Sequence, residues 1–273
     1  MEVGLLQTNN IYILGAGPAG ISLSHYLSKL KIKNTLIEAR NNVGGMARSW
    51  IWNDFIVDTG PHILHTDDKD IWNLWKKYLN NNLSEQLFYS GNFKTINKKS
   101  YIYDYPLNIE QIKSSDAWSK DEKYKILKNL KNSKSSNNLG EAISFRDYMQ
   151  SFVGGTLERA FFRYYPEKVW GIPTNKMLPD WAPKRIRICD DREPFYKGEL
   201  AGIAEMGTGE LMQNILKDSC KTFTNLFLNS KIINLKIKKN KISGIEIINN
   251  KNEKQLLNLK ENDLVVNTLP VSL

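Results

Sequence analysis

Three glycines, Gly15, Gly17 and Gly20, lie in the stretch GAGPAGISLSHYL, directly after the apolar run Ile11 to Leu14. Spaced as G-x-G-x-x-G, they let a backbone pass close to a pyrophosphate, because side chains there would keep the amides from the phosphate oxygens. Glu38 follows 18 residues beyond Gly20, at the end of a second apolar run, NTLIEA. A carboxylate at that distance is suited to accept hydrogen bonds from an adenosine ribose.

Glycines at this spacing are a weak signal alone, since small residues also gather wherever a helix packs on a strand. The order of elements gives them weight. Ile11 to Leu14 reads as a strand, and Pro18 and Ala19 lead into a helix with Ile21, Leu23, Leu27 and Leu30 at near-helical spacing. NTLIEA then reads as a second strand. Strand, tight turn, helix, strand and acid make a Rossmann-like βαβ unit, with the pyrophosphate at the positive end of the helix. The fingerprint alone does not separate NAD from FAD. Past Glu38 come Ala39, Arg40, the paired Gly44 and Gly45, and then Met46, Ala47 and Arg48. An Arg followed by paired glycines resembles the extension in FAD-binding proteins of the glutathione-reductase superfamily, where this loop runs along the cofactor toward the flavin.

Three further stretches, DTGPHILHTDDKDIW (58–72), YYPEKVWG (164–171) and LPDWAPKRI (178–186), together resemble UDP-galactopyranose mutase and its flavoprotein relatives. The resemblance implies that the loop carrying His62, Ile63 and His65 runs past the isoalloxazine ring. It implies that Tyr165 and Trp170 line a nucleotide-sugar cleft, and that Arg185 lies against the flavin and the substrate diphosphate. Elementary chemistry is compatible with each role. A guanidinium pairs with a diphosphate or a reduced flavin anion, and aromatic rings offer flat faces to uracil or sugar. His25, on the first helix, reads as structural, and the tyrosines of YIYDYPLNI (101–109) read mainly as packing.

The function implied is an FAD-dependent mutase acting on a nucleotide sugar such as a UDP-hexose. In that family the reduced flavin N5 attacks the anomeric carbon, UDP leaves, and the sugar ring opens and recloses in its other form. NAD(P)H is then the candidate external reductant. Two features depart from the mutase pattern. Met46 to Ser49 follow the paired glycines where the mutases usually present an Asn, which is closer to amine-oxidase relatives, and one extra residue separates Trp170 from Arg185. The alternative is therefore an FAD-dependent oxidoreductase of the amine-oxidase or protoporphyrinogen-oxidase type. The family also continues beyond the stretch written here as LVVNTLPVSL, so the resemblance implies a truncated or split member, a half-protein completed by a second chain.

Composition bounds the remaining choices. At 273 residues and 41% apolar content, the chain can close a large core. Its 38 Lys and Arg against 29 Asp and Glu give a net charge of +9. Those lysines are scattered and alternate with apolar residues in KIINLKIKKNKISGIEIINNKNEK, which reads as a solvated strand face rather than a nucleic-acid surface. The positive field can still draw in an anionic substrate. No run of 18 apolar residues occurs, and MEVGLLQTNN carries an acid where a signal peptide has a basic segment, so no membrane span and a cytoplasmic location are expected. Cys189 and Cys220 stand far apart, which supports neither a disulfide framework nor a zinc site.

The fold expected is α/β: a discontinuous FAD-binding domain over 1–66 and 206–273, with an inserted helical and substrate-binding region over 67–205. Within the insertion the helices break at Gly154 and Gly155, and the polar tract 133–138 is a connector. Gly207 to Gly209 reads as a helix entry rather than a second phosphate loop. The returning strands include a hairpin around Asn240 and a buried strand in DLVVNTLP; the resemblance to FAD-binding proteins implies that such strands return beside the adenine, which makes the backbone near Ile232 a candidate contact.

Overall fold

A computed structural model of the chain describes residues 10–96, 98–133, 142–221 and 223–270, and only the backbone of Asn132, Ser133, Lys184 and Arg185. The N-terminal stretch and nearly all of the polar connector therefore lie outside the described residues. The chain divides into two compact units, Met1–Gln86 with Glu199–Leu273, and Leu87–Gly198.

In the first unit, β1 (Ile11–Leu14), α1 (Pro18–Lys29) and β2 (Asn34–Ile37) follow one another as expected. Four strands form a parallel sheet in the order Thr224–Phe227, β2, β1, Leu264–Asn267. Successive side chains of a strand point to opposite faces, and here both faces are covered. Ile11, Ile13 and Leu36 pack with Ile21 and Leu27 of α1 and with Leu211, Ile215 and Leu216 of the helix Thr208–Ser219. Leu14 and Ile37 turn the other way, onto Ile245 and Ile247 of a three-stranded antiparallel meander. That meander comprises Ser230–Lys238, Lys241–Asn249 and Lys254–Asn258. Its first turn falls at Asn240, where the hairpin was expected; Lys239 and Asn240 both adopt positive φ.

A buried polar seam joins α1 to the sheet. Ser24 Oγ donates to Asn34 Oδ1 (2.7 Å), Thr224 Oγ1 donates to the same oxygen (3.0 Å), and Ser28 Oγ lies 2.7 Å from Thr224 Oγ1. Because these groups satisfy one another, Asn34 can open a fully buried strand. Two sequence expectations are corrected here. Leu30 falls beyond the last turn of α1 and is 67% exposed rather than part of its apolar face. The strand Leu264–Asn267 is half-exposed rather than buried, because it is the last strand of the sheet order.

The unit limits fall at 86/87 and 198/199, where the sequence pattern placed them at 66/67 and 205/206. The helix Lys69–Leu79, capped by Asp68 Oδ1 on the amides of Asp70 and Ile71, buries Tyr78 and Leu79 in the core of the first unit. The strands Leu64–Thr66, Leu200–Ala204 and Leu83–Glu85 form one antiparallel sheet in that order.

The second unit opens with a hairpin, Ser90–Ile96 and Lys99–Tyr105, in a region expected to be helical. Its core joins Tyr103 and Leu107 to Ile112, Ile126, Phe145, Met149, Val153 and Leu157. The helix Phe145–Leu157 kinks at Gly154, as expected, with φ +79° and ψ 157°. A Cβ at that glycine would collide with the Asn129 side chain. No helix among the described residues is long and apolar enough to cross a membrane.

Candidate functional site

The glycine turn lies at the carboxyl end of β1, between β2 on one side and Leu264–Asn267 on the other. In an open α/β sheet this switch in strand order leaves a crevice for ligands. The three glycines occupy it for different reasons. Gly15 has φ +98°, and a Cβ there would meet Leu269 Cδ2 at 3.0 Å. At Gly20 a Cβ would run into the Gly15 carbonyl and lie 2.9 Å from Thr268 Oγ1, so helix–strand packing alone demands glycine. Gly17 differs. Its φ of −79° and ψ of −179° suit any residue, and a Cβ would meet nothing closer than Gly45 Cα at 3.9 Å. Among the described residues no steric contact requires glycine at 17.

Gly17 is also the N-cap of α1, with no side-chain cap and no acid in the first turn, while Pro18 and Ala19 are exposed. Amides of a first helical turn lack intrahelical partners and carry the positive end of the helix dipole. The paired glycines lie against this turn. Gly44 N donates to Ala16 O (2.7 Å), Gly45 has φ +54°, and a Cβ on Gly45 would meet Gly17 Cα at 3.0 Å. Arg48 Nη1 donates to Gly45 O (2.8 Å), which braces the loop. Met46 is exposed and Ala47 is buried.

Glu38 reaches the same turn from the end of β2. Its Oε2 accepts from Ala16 N and its Oε1 from Arg40 N, both at 3.0 Å. A carboxylate has about four acceptor sites, which leaves capacity for further donors. Ala39 and Arg40 are exposed beside it. Ser230 N donates to Glu38 O and Asn229 N to Arg40 O, both at 2.8 Å, so the first meander strand starts beside the acid. Ile232 itself is half-buried, opposite Ile247. Thr268 Oγ1 closes the other side, donating to Leu14 O (2.8 Å) and Gly15 O (3.1 Å).

The histidine loop follows in the same unit. His62 is half-buried, with Nδ1 at 3.7 Å from Asp58 Oδ2, and Ile63 is half-buried beside it. His65 Nδ1 lies 2.5 Å from Glu199 Oε2 on the returning chain. Asp58 accepts from Ser49 Oγ, from Thr208 N and from Thr208 Oγ1 (2.9 Å), while Ser49 Oγ accepts from Gly209 N (2.8 Å). Together Asp58 and Ser49 cap the helix Thr208–Ser219, whose own N-cap, Gly207, has no side chain to do so. The Gly207 to Gly209 stretch is thus a helix entry, as expected, with a protein carboxylate at its end. His25 is buried with Nδ1 at 3.3 Å from Ser219 Oγ; burial, then Lys29, holds its pKa below the ordinary value.

In the second unit, Tyr165 and Trp170 are 68% and 67% exposed on the helix Tyr164–Trp170, so neither belongs to the core. Glu167 faces inward, where its Oε1 accepts from Thr174 N and Oγ1 (both 2.9 Å) and from Arg146 Nη2 (3.1 Å). These bonds, those of Thr174 first, hold its carboxyl below the usual range. The preceding turn is pinned by buried Glu158, which accepts from Arg163 Nε (2.9 Å) and Nη2 (2.6 Å). Arg185 ends the helix Ala182–Arg185, and its side chain lies outside the described residues. Tyr103 is core, and Tyr101 and Tyr105 pack against it.

The structure thus gathers residues 15–20, 38–40 and 44–48 at one turn. His62, Ile63 and His65 stand in a separate loop of that unit, and Tyr165 and Trp170 in the other unit. Thr268, Ser49, Asp58 and Glu199 escaped sequence reasoning, because each acts across a long chain separation with no local pattern.

Residues 13–78 match the family model described as an NAD(P)-binding Rossmann-like domain. Fold and turn together define the class, a Rossmann-like dinucleotide-binding protein. Over 216 residues the chain is 32% identical to a dTDP-fucopyranose mutase of Escherichia coli, a match covering 76% of this chain and 54% of that protein. Over 221 residues it is 26% identical to a probable UDP-galactopyranose mutase of Klebsiella pneumoniae, covering 77% and 53%. A crystal structure of reduced UDP-galactopyranose mutase has the same fold, with TM-score 0.74 at 18% identity, covering 96% of this chain and 55% of that one. The chain is a homologue of these sugar-nucleotide mutases and spans about half the length of the curated relatives it matches.

Proposed function

We propose that the chain forms the FAD-binding and part of the sugar-binding machinery of a mutase that exchanges the ring form of a nucleotide sugar such as a UDP-hexose. The observation that carries this reading is Gly17, a glycine that neither backbone conformation nor neighbouring atoms require. A pyrophosphate on the first turn of α1 supplies the missing reason, since a Cβ there would stand in its approach. Gly45, facing Gly17, keeps the opposite wall free of side chains, and the spare acceptor capacity of Glu38 suits an adenosine ribose. The residues present fit the ADP half of FAD.

Bound and reduced, FAD supplies the electron-rich centre for exchange at the anomeric carbon, and an external reductant such as NAD(P)H is assigned to supply its electrons. The protein's part is to bind and to orient. Gly15 to Gly20 hold the pyrophosphate, Glu38 the ribose, and the loop from Gly44 to Arg48 continues along the cofactor. His62, Ile63 and His65 are assigned to the flavin end. Tyr165 and Trp170 present open aromatic faces to base or sugar, held by the inward Glu167. Arg185 is assigned to the substrate diphosphate, where a guanidinium bonds in pairs.

The experiment is to incubate dithionite-reduced, FAD-loaded protein with UDP- and dTDP-hexopyranoses and follow ring-form exchange by chromatography. Exchange that requires reduction, and falls at least about tenfold in Trp170→Ala, is expected. The run Met46 to Ser49 favours the second reading, a flavin oxidoreductase. Oxygen or quinone consumption without reductant, and no exchange, would replace the mutase with it.

A further inference from the structure

His62 Nδ1 is a buried nitrogen without a hydrogen-bond partner among the described residues. Such a group is costly to leave unpaired and asks for an explanation. The Asp58 carboxylate stands 3.7 Å away, a little beyond hydrogen-bond reach. Asp58 is held firmly. Ser49 Oγ, Thr208 N and Thr208 Oγ1 all donate to it, and through them it is fastened to the first turn of a 12-residue helix.

We propose that Asp58 is a positioning residue for His62: the carboxylate that caps the helix Thr208–Ser219 also fixes the imidazole tautomer, drawing the neutral ring's proton to Nδ1 and leaving Nε2 as the acceptor. A small ring rotation closes the 3.7 Å gap and satisfies the buried nitrogen. Because three donors anchor Asp58, the ring turns toward the acid rather than the acid toward the ring. The consequence for the cofactor, an Nε2 presented with its lone pair free, rests on the assignment of His62 to the flavin end.

Asp58→Asn is the informative substitution. With its oxygen toward Ser49 Oγ and Thr208 N, where Oδ1 stands in the wild type, the new NH2 group takes the place of Oδ2 beside His62 and gives its second hydrogen to Thr208 Oγ1. It would donate to Nδ1 and reverse the tautomer. Nitrogen-15 NMR of histidine-labelled protein, with His62 assigned by its loss in His62→Gln, reads this directly. In wild type the His62 proton is expected on Nδ1, and in Asp58→Asn on Nε2. Ser49→Ala, which removes a helix-capping hydroxyl without touching His62, is expected to lower the melting temperature and keep the wild-type tautomer. A wild-type proton on Nε2 would overturn the assignment, and the wild-type spectrum decides by itself should the variant fail to fold or seat its amide oxygen at the Oδ2 position. A reversed tautomer with an unchanged absorbance band of bound FAD would support Asp58's role and count instead against His62 lying beside the flavin.

Discussion

A glycine can be kept for the fold or for a ligand, and the proposed function sets the two kinds three residues apart in this turn. Gly20 belongs to the fold, because a methyl group there has to displace the Gly15 backbone. Gly20→Ala is expected to destabilise the first unit by about 3 kcal/mol, at the upper end of overpacking costs, as read from urea unfolding. The thiols carry the opposite kind of prediction. Burial and then the Glu193 carboxylate push Cys189 up to about 11, and burial raises Cys220 as well. The thiolate is the reactive form, so neither cysteine is expected to react with a disulfide reagent at pH 7 until the protein unfolds. At this scale the sequence was legible where the signal is local. Gly15, Gly17, Gly20 and Glu38 are spaced by one βαβ unit. Asp58 and Thr208 are 150 residues apart, and Thr268 and Leu14 are 254 apart, so no spacing rule could pair them.

Elements reveal how the helices are seated. His25 on α1 reaches Ser219 at the end of the helix Thr208–Ser219, and its folded-state pKa is lowered, by burial first. The folded state therefore favours the neutral ring. Its contribution to stability is complete above the unfolded value near 6.5 and is lost as pH falls through the folded value. Urea midpoints are expected to drop between pH 7.5 and 5.5 in wild type and to drop less in His25→Gln. In the second unit, Glu167→Gln weakens the charge-assisted bonds from Thr174 and Arg146 and is expected to lower the urea unfolding midpoint. Element prediction succeeded where periodicity was clear, in β1, α1, β2 and the hairpin at Asn240. It missed the hairpin Ser90–Ile96 with Lys99–Tyr105, whose turn carries Lys98 at φ +65° instead of a glycine signal. It also placed the helix Lys69–Leu79 outside the nucleotide unit, because burial of Tyr78 and Leu79 against distant residues leaves no mark in local composition.

The whole molecule comprises two compact units, of which the first carries the glycine turn and Glu38. Its parallel sheet is covered by helices on one face and a meander on the other, and the ends of β1 and β2 are fixed by Thr268, Gly44 and the Glu38 carboxylate. Under the proposed function, these bonds give the glycine turn a defined shape before a ligand arrives, which keeps ordering costs at binding small. Titration of FAD into the cofactor-stripped protein, in wild type and in Gly17→Ala, tests the central claim most directly. Among the described residues the new methyl group meets nothing closer than Gly45 Cα, at 3.9 Å, so Gly17→Ala should lose only the modest N-cap preference for glycine over alanine while binding FAD at least about tenfold more weakly. Equal FAD affinity in the two proteins would mean that no pyrophosphate passes over the first turn of α1, against the proposed function.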